Sequence, residues 1–97
     1  MKGVILAAAL ACSPAAAERI GAPRGDPAQV AFREITLAPY PCPRVTEAAR
    51  RADGSIVARC SNGRRYLLFR ERGYDGTVVL GCQQAREILN LSCSEES

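Results

Sequence analysis

Five cysteines, at positions 12, 42, 60, 82 and 93, constrain this 97-residue chain more than any other feature, because their chemistry depends on the compartment they reach. The N-terminus addresses that question. Lys2 precedes an unbroken apolar run from Val4 to Ala11, and Ala15-Ala16-Ala17 sets small residues where a signal peptidase reads them. Residues 1–17 therefore read as a signal peptide, with Glu18 opening a mature chain that is periplasmic or secreted. The apolar run is far shorter than the roughly 20 residues of a membrane-crossing helix, so no transmembrane span is expected in the mature form. A second reading takes Ala9-Leu10-Ala11-Cys12 as a lipidation signal that anchors the domain through Cys12. It ranks lower because Ala9 stands where a branched residue is favoured.

Cleavage after Ala17 leaves 80 residues and four cysteines, Cys42, Cys60, Cys82 and Cys93. An even count in a short exported chain reads as a disulfide framework. Metal binding is the weaker alternative, since the chain has no C-x-x-C pair and no histidine. Neither a metal nor any other cofactor is expected. About twenty large apolar side chains can build one small core, so two bridges at roughly 2–4 kcal/mol each would decide whether it folds. Three pairings are open. A straight helix over 83–91 would hold Cys82 and Cys93 more than about 13 Å apart, against the roughly 7 Å a bridge tolerates. Pairing Cys82 with Cys93 requires a helix that ends near Leu89, where Asn90 and Ser92 are weak helix formers. The leading pairing is Cys42 with Cys60 and Cys82 with Cys93.

Along the chain, Glu18 to Asp26 carries glycine, proline and charge with little apolar content, and reads as a flexible lead-in to a single domain over 27–97. Asp26-Pro27-Ala28-Gln29 has the marks of a helix start, and a helix to about Leu37 follows, with a strand as the rival. Pro39-Tyr40-Pro41-Cys42-Pro43 excludes helix and reads as a stiff connector that loses little entropy when a bridge pins it. Val45 to Arg51 reads as a strand, although Thr46-Glu47-Ala48-Ala49-Arg50-Arg51 has helical propensity. Thr77 to Leu80 reads as a last short strand and Gln83 to Leu91 as a helix, with Ala85, Ile88 and Leu89 on one face.

The β-rich runs 55–60 and 65–70 flank Asn62-Gly63, the preferred pair for a two-residue primed turn, and so predict a β-hairpin. That loop pairs Cys60 with Arg65, Arg59 with Tyr66 and Ala58 with Leu67. It turns Ile56, Ala58, Leu67 and Phe69 to the core. The fold class is then α+β: a small antiparallel meander or hairpin sheet with a C-terminal helix, stapled by disulfides. On the outer face of the hairpin this register gathers Arg59, Arg64, Tyr66 and Arg70 as the candidate binding residues.

Charge is uneven. Residues 44–72 hold eight arginines against Glu47, Asp53 and Glu71, whereas residues 73–97 hold Arg86 against four acids. Without histidine there is no imidazole base and no Ser-His-Asp or Cys-His arrangement, and the acids are scattered singly in turns or grouped in the tail. No enzyme is expected. The reading is an exported binding or accessory module of the bacterial envelope that docks a partner protein through a basic sheet face, since arginine and tyrosine favour interfaces. One alternative is binding to an anionic lipid or polysaccharide surface. Nucleic acid is a poor partner for a net charge this small. Another alternative is inhibition of a secreted enzyme. The seven residues Cys60-Ser61-Asn62-Gly63-Arg64-Arg65-Tyr66 resemble the cysteine-led turns of small periplasmic proteins, lysozyme inhibitors among them, and no function is carried over from so short a stretch.

Overall fold

The computed structural model describes residues 18–93; the expected signal segment with Cys12, and residues 94–97, lie outside the described residues. In chain order the elements are β1 (Arg19–Ile20), α1 (Pro27–Leu37), β2 (Val45–Arg50), β3 (Ile56–Cys60), β4 (Arg65–Glu71), β5 (Thr77–Gly81) and α2 (Cys82–Leu89). They form a small α+β domain with an antiparallel sheet, a C-terminal helix and two disulfides, Cys42–Cys60 and Cys82–Cys93.

Two turns of one design set the register of the meander. In the first, Arg51 N donates to Ser55 O and Gly54 N to Arg51 O, with Gly54 at φ +89°. In the second, Cys60 N donates to Arg64 O and Gly63 N to Cys60 O, with Gly63 also at φ +89°. Each is a three-residue loop whose glycine takes the left-handed position after a residue with a side-chain oxygen. That oxygen closes the turn: Asp53 Oδ1 accepts from Ser55 N at 2.9 Å, and Asn62 Oδ1 accepts from Arg64 N at 3.0 Å.

The third loop residue corrects the expected pairing. Arg59 faces Arg65, Ala58 faces Tyr66, Val57 faces Leu67 and Ile56 faces Leu68, one step away from the register of a two-residue loop. Both two-residue primed turns need positive φ at the first central residue, which would be Asn62, and among the described residues Asn90 is the only non-glycine with positive φ. Because strand side chains alternate, one step moves every β4 side chain to the other face. The expected single core face therefore splits. Ile56 and Ala58 join Tyr66, Leu68 and Val79 beneath α1, with Val30, Ala31 and Ile35 of the helix; Leu67 and Phe69 join Ala85 and Cys93 beside α2. Tyr66, Leu67, Leu68 and Phe69 are all buried, the pattern of a strand covered on both sides.

Helix α1 begins as its sequence indicates, with Asp26 Oδ2 accepting from Gln29 N at 3.0 Å and Pro27 in the first turn. Beneath it, β2 is a strand despite its helical propensity. Pairing with β3 sets Ala48 opposite Ala58 on the α1 side, and such small residues let a helix lie close on the sheet. Helix α2 ends at Leu89, where Asn90 turns left-handed at φ 57° and Leu91 N reaches back to Ala85 O. The early end brings Cys82 and Cys93 to a Cα separation of 5.8 Å.

The expectation of a loose lead-in over 18–26 is corrected. Arg19 and Ile20 pair with Glu71 and Arg70 of β4, while Arg70 also pairs with Thr77 of β5. Since a strand has only two edges, β1 lies along the edge of β4 that β3 vacates at Ile56. Glu18 adds an ion pair to Arg72 at 2.6 Å, and Ala22 N donates to Gly54 O at 2.9 Å. Arg50 completes the attachment. Its Nη1 donates to Ala22 O and Gly54 O, and its Nη2 to Pro23 O and Gly25 O.

Candidate functional site

The four residues that the sequence grouped as a binding face do not share one. Tyr66 is 3 % exposed beneath α1, stacked on Tyr40 with ring centroids 5.4 Å apart, and its hydroxyl donates to Pro41 O at 3.0 Å. Burial pushes the Tyr66 phenol above its ordinary value, while the nearby Arg64 charge opposes the shift. Arg70 points to the same side, and its Nε donates to Gly21 O at 2.8 Å. Arg64 is exposed just after the 61–63 turn. Arg59 alone is displayed on the α2 side, its side chain half exposed. Tyr66 and Arg70 thus hold the fold together. The cysteines fall where the leading pairing set them, in two bridges.

What the structure assembles around Arg59 is different. Helix α2 packs against β4 and β5, and among the described residues no helix packs comparably over the β2 and β3 half of that face. There Arg59 stands opposite Arg65, in a pair whose backbones do not exchange hydrogen bonds, because the hydrogen-bonded partners alternate from Cys60 and Arg64. Side chains in such pairs approach most closely, and like charges so placed repel. Among the described residues Arg59 has a carboxylate at hand, Glu47 at 3.5 Å, in a solvent-exposed pair, and no ion pair reaches Arg65. Arg51, from the end of β2, joins them. Its Nη1 donates to Ser92 O, and its Nε is buried with no hydrogen-bond acceptor among the described residues. Together Arg51, Arg59 and Arg65 border a shallow, open concavity of roughly 800 Å³ with Ala49 and Val57 in its floor and Cys93 at its rim.

Sequence reasoning missed Arg51 and Arg65. Arg65 was within reach, since the three-residue loop places it opposite Arg59; Arg51 is placed by its contact with Ser92, far away in sequence, which no local pattern states. Chemically the concavity suits the capture of carboxylates by guanidinium groups over a small apolar floor. Among the described residues no group of three His, Cys, Asp or Glu side chains is placed to hold a metal ion. No described helix is long and apolar enough to cross a membrane.

No protein-family model matches the chain, and no curated protein and no solved structure is significantly similar to it.

Proposed function

We propose that this chain is an exported binding or accessory module of the bacterial envelope, and that it docks an acidic surface of another protein against the sheet face around Arg59 and Arg65. The observation that carries the reading is their cross-strand pairing. Two arginines set face to face oppose folding slightly and prepare a site for an anion. The apolar floor of Ala49 and Val57 favours a protein surface over a polysaccharide. Two disulfides in a domain this small accord with an oxidising compartment. The role is binding, with no reaction assigned to it.

The test immobilises the mature chain and its Arg59→Glu/Arg65→Glu variant and exposes both to envelope extract at low salt, with circular dichroism to establish that both fold. Protein retained by the wild type, lost from the variant and released as salt rises is the expected result. Equal retention by both overturns the reading. Capture of anionic phospholipid vesicles, with no protein retained, overturns it in favour of an anionic surface.

A further inference from the structure

We infer that the partner contributes an extended, acidic segment, which adds as a strand to the open edge of β2 while its carboxylates reach Arg51 and Arg59. This deepens the docking proposal above and rests on it. Strand β2 ends the path of the sheet, with β3 on one side and no described strand on the other. The hydrogen bond from Arg51 N to Ser55 O fixes which residues exchange bonds across the hairpin. Hydrogen-bonded pairs alternate along an antiparallel ladder, so Ala49 with Val57 and Glu47 with Arg59 are the bonded pairs. The amides and carbonyls of Ala48 and Arg50 consequently point away from the sheet, offered to a further strand.

The concavity connects this edge to the arginines. Ala48 and Arg50 border it, although their side chains belong to the α1 side, so it must pass over the edge of the β2 backbone. A strand laid there would sit about 5 Å beyond β2, turning alternate side chains to the α2 side. Glu47 stands opposite Arg59 in β2, and beside it on the same face comes Ala49, small enough for the Arg59 guanidinium to lean diagonally across it toward the added strand. Among the described residues bordering the concavity, three arginines on this face against one acid, Glu47, select acidic side chains in that row. The irregularity between Val45 and Glu47 interrupts the edge at its start, which leaves Glu47–Arg50 as the pairing stretch. Backbone bonds would supply affinity and the arginines the preference, the usual division in strand addition. Pairing of two β2 edges is disfavoured, because it would bring two basic faces side by side.

The probe is a short blocked peptide alternating glutamate and valine, long enough to span β2, with two companions: glutamine in place of glutamate, and backbone N-methylation at the residues that would face β2. Binding of the parent peptide should weaken about tenfold with glutamine. It should weaken about as much in Arg51→Gln/Arg59→Gln, and disappear on N-methylation. Amide exchange should slow at Ala48 and Arg50 only when the peptide is bound. If the methylated peptide binds like its parent, strand addition is wrong and docking on the arginine face survives. Protection of those two amides in the peptide-free chain, from a second copy or from another part of the chain, also overturns the inference. If no peptide binds while Arg59→Glu/Arg65→Glu still loses the extract partner, the inference fails alone; if that partner is indifferent too, both fail.

Discussion

Gly21 and Gly54 meet backbone to backbone: a β-carbon built on Gly54 would lie 2.9 Å from Gly21 Cα, and one built on Gly21 would lie 3.0 Å from Gly54 Cα. The contact seats the N-terminal segment on the first meander turn. Gly54→Ala therefore meets two penalties, the left-handed φ and a collision with main chain that has no side-chain freedom to yield. Gly63→Ala meets only the first, since nothing stands within 4 Å of its β-carbon position. The expected losses, read by chemical denaturation, are about 1 kcal/mol for Gly63→Ala and about 2–4 kcal/mol for Gly54→Ala. Equal losses at the two glycines would show that the close approach carries no weight.

Arg50 supplies the polar half of the same attachment, with four carbonyl acceptors from 2.7 to 3.2 Å. A lysine keeps the charge but concentrates its donors on one atom and cannot span acceptors on both sides. Arg50→Lys is expected to cost about 1–3 kcal/mol. Amide exchange should accelerate at Ala22 well before it does at Leu68 in the core. Uniform acceleration along the chain would mean that Arg50 supports the whole fold and not this segment in particular.

Much of the architecture was legible because it rests on local chemistry. Asp26 and Pro27 announce α1, the β-rich runs announce β3 and β4, and weak helix formers at Asn90 and Ser92 allow the bridge at Cys82. The register was not legible, because Asn-Gly serves a two-residue primed turn and the last two positions of a three-residue loop equally well. That single ambiguity moved Tyr66 and Arg70 from the expected binding face to the side beneath α1, and hid the pairing of Arg59 with Arg65. The seating of residues 18–26 was illegible for another reason. It is held by β1 pairing and by guanidinium groups from Arg50 and Arg70 reaching carbonyls far away in sequence, and such contacts leave no periodic trace near the segment they fix.

The two bridges should differ in what they protect. Cys42–Cys60 ties the proline-rich connector to the end of β3 inside the core beneath α1, across a separation of 18 residues, whereas Cys82–Cys93 closes 11 residues around α2. Loop entropy alone favours the longer bridge by about 0.4 kcal/mol, within totals of about 2–4 kcal/mol each. Replacing both Cys42 and Cys60 with alanine also empties a buried site, so its loss is expected to be the larger. Replacing Cys82 and Cys93 should loosen Ser92 from Arg51, with faster amide exchange in α2 and little change in β3. Thermal unfolding of the two double variants checks the order, and a loss below about 1 kcal/mol for both would show that the core holds without its bridges.

Asp53 and Asn62 occupy the same position in matching turns, one ionisable and one not, and this gives a pH test with an internal control. The hydrogen bond from Ser55 Oγ, at 2.6 Å, does most to hold the Asp53 carboxyl below its ordinary value. The bond from Ser55 N and the charges of Arg51 and Arg19 add to it, while partial burial opposes them. A carboxyl whose folded value lies below its unfolded one stabilises the fold fully above the unfolded value, near 3.8. That contribution is lost as pH falls through the folded value. Asp53→Asn keeps an acceptor for Ser55 N, as Asn62 does for Arg64 N, but does not titrate. Wild type should therefore be the more stable at neutral pH, and its advantage over the variant should shrink as pH drops below about 4. Measuring both by denaturant unfolding removes the other carboxyls from the comparison, since they titrate alike in each; an advantage that stays constant to the most acidic pH would show that the Asp53 charge contributes nothing to the turn.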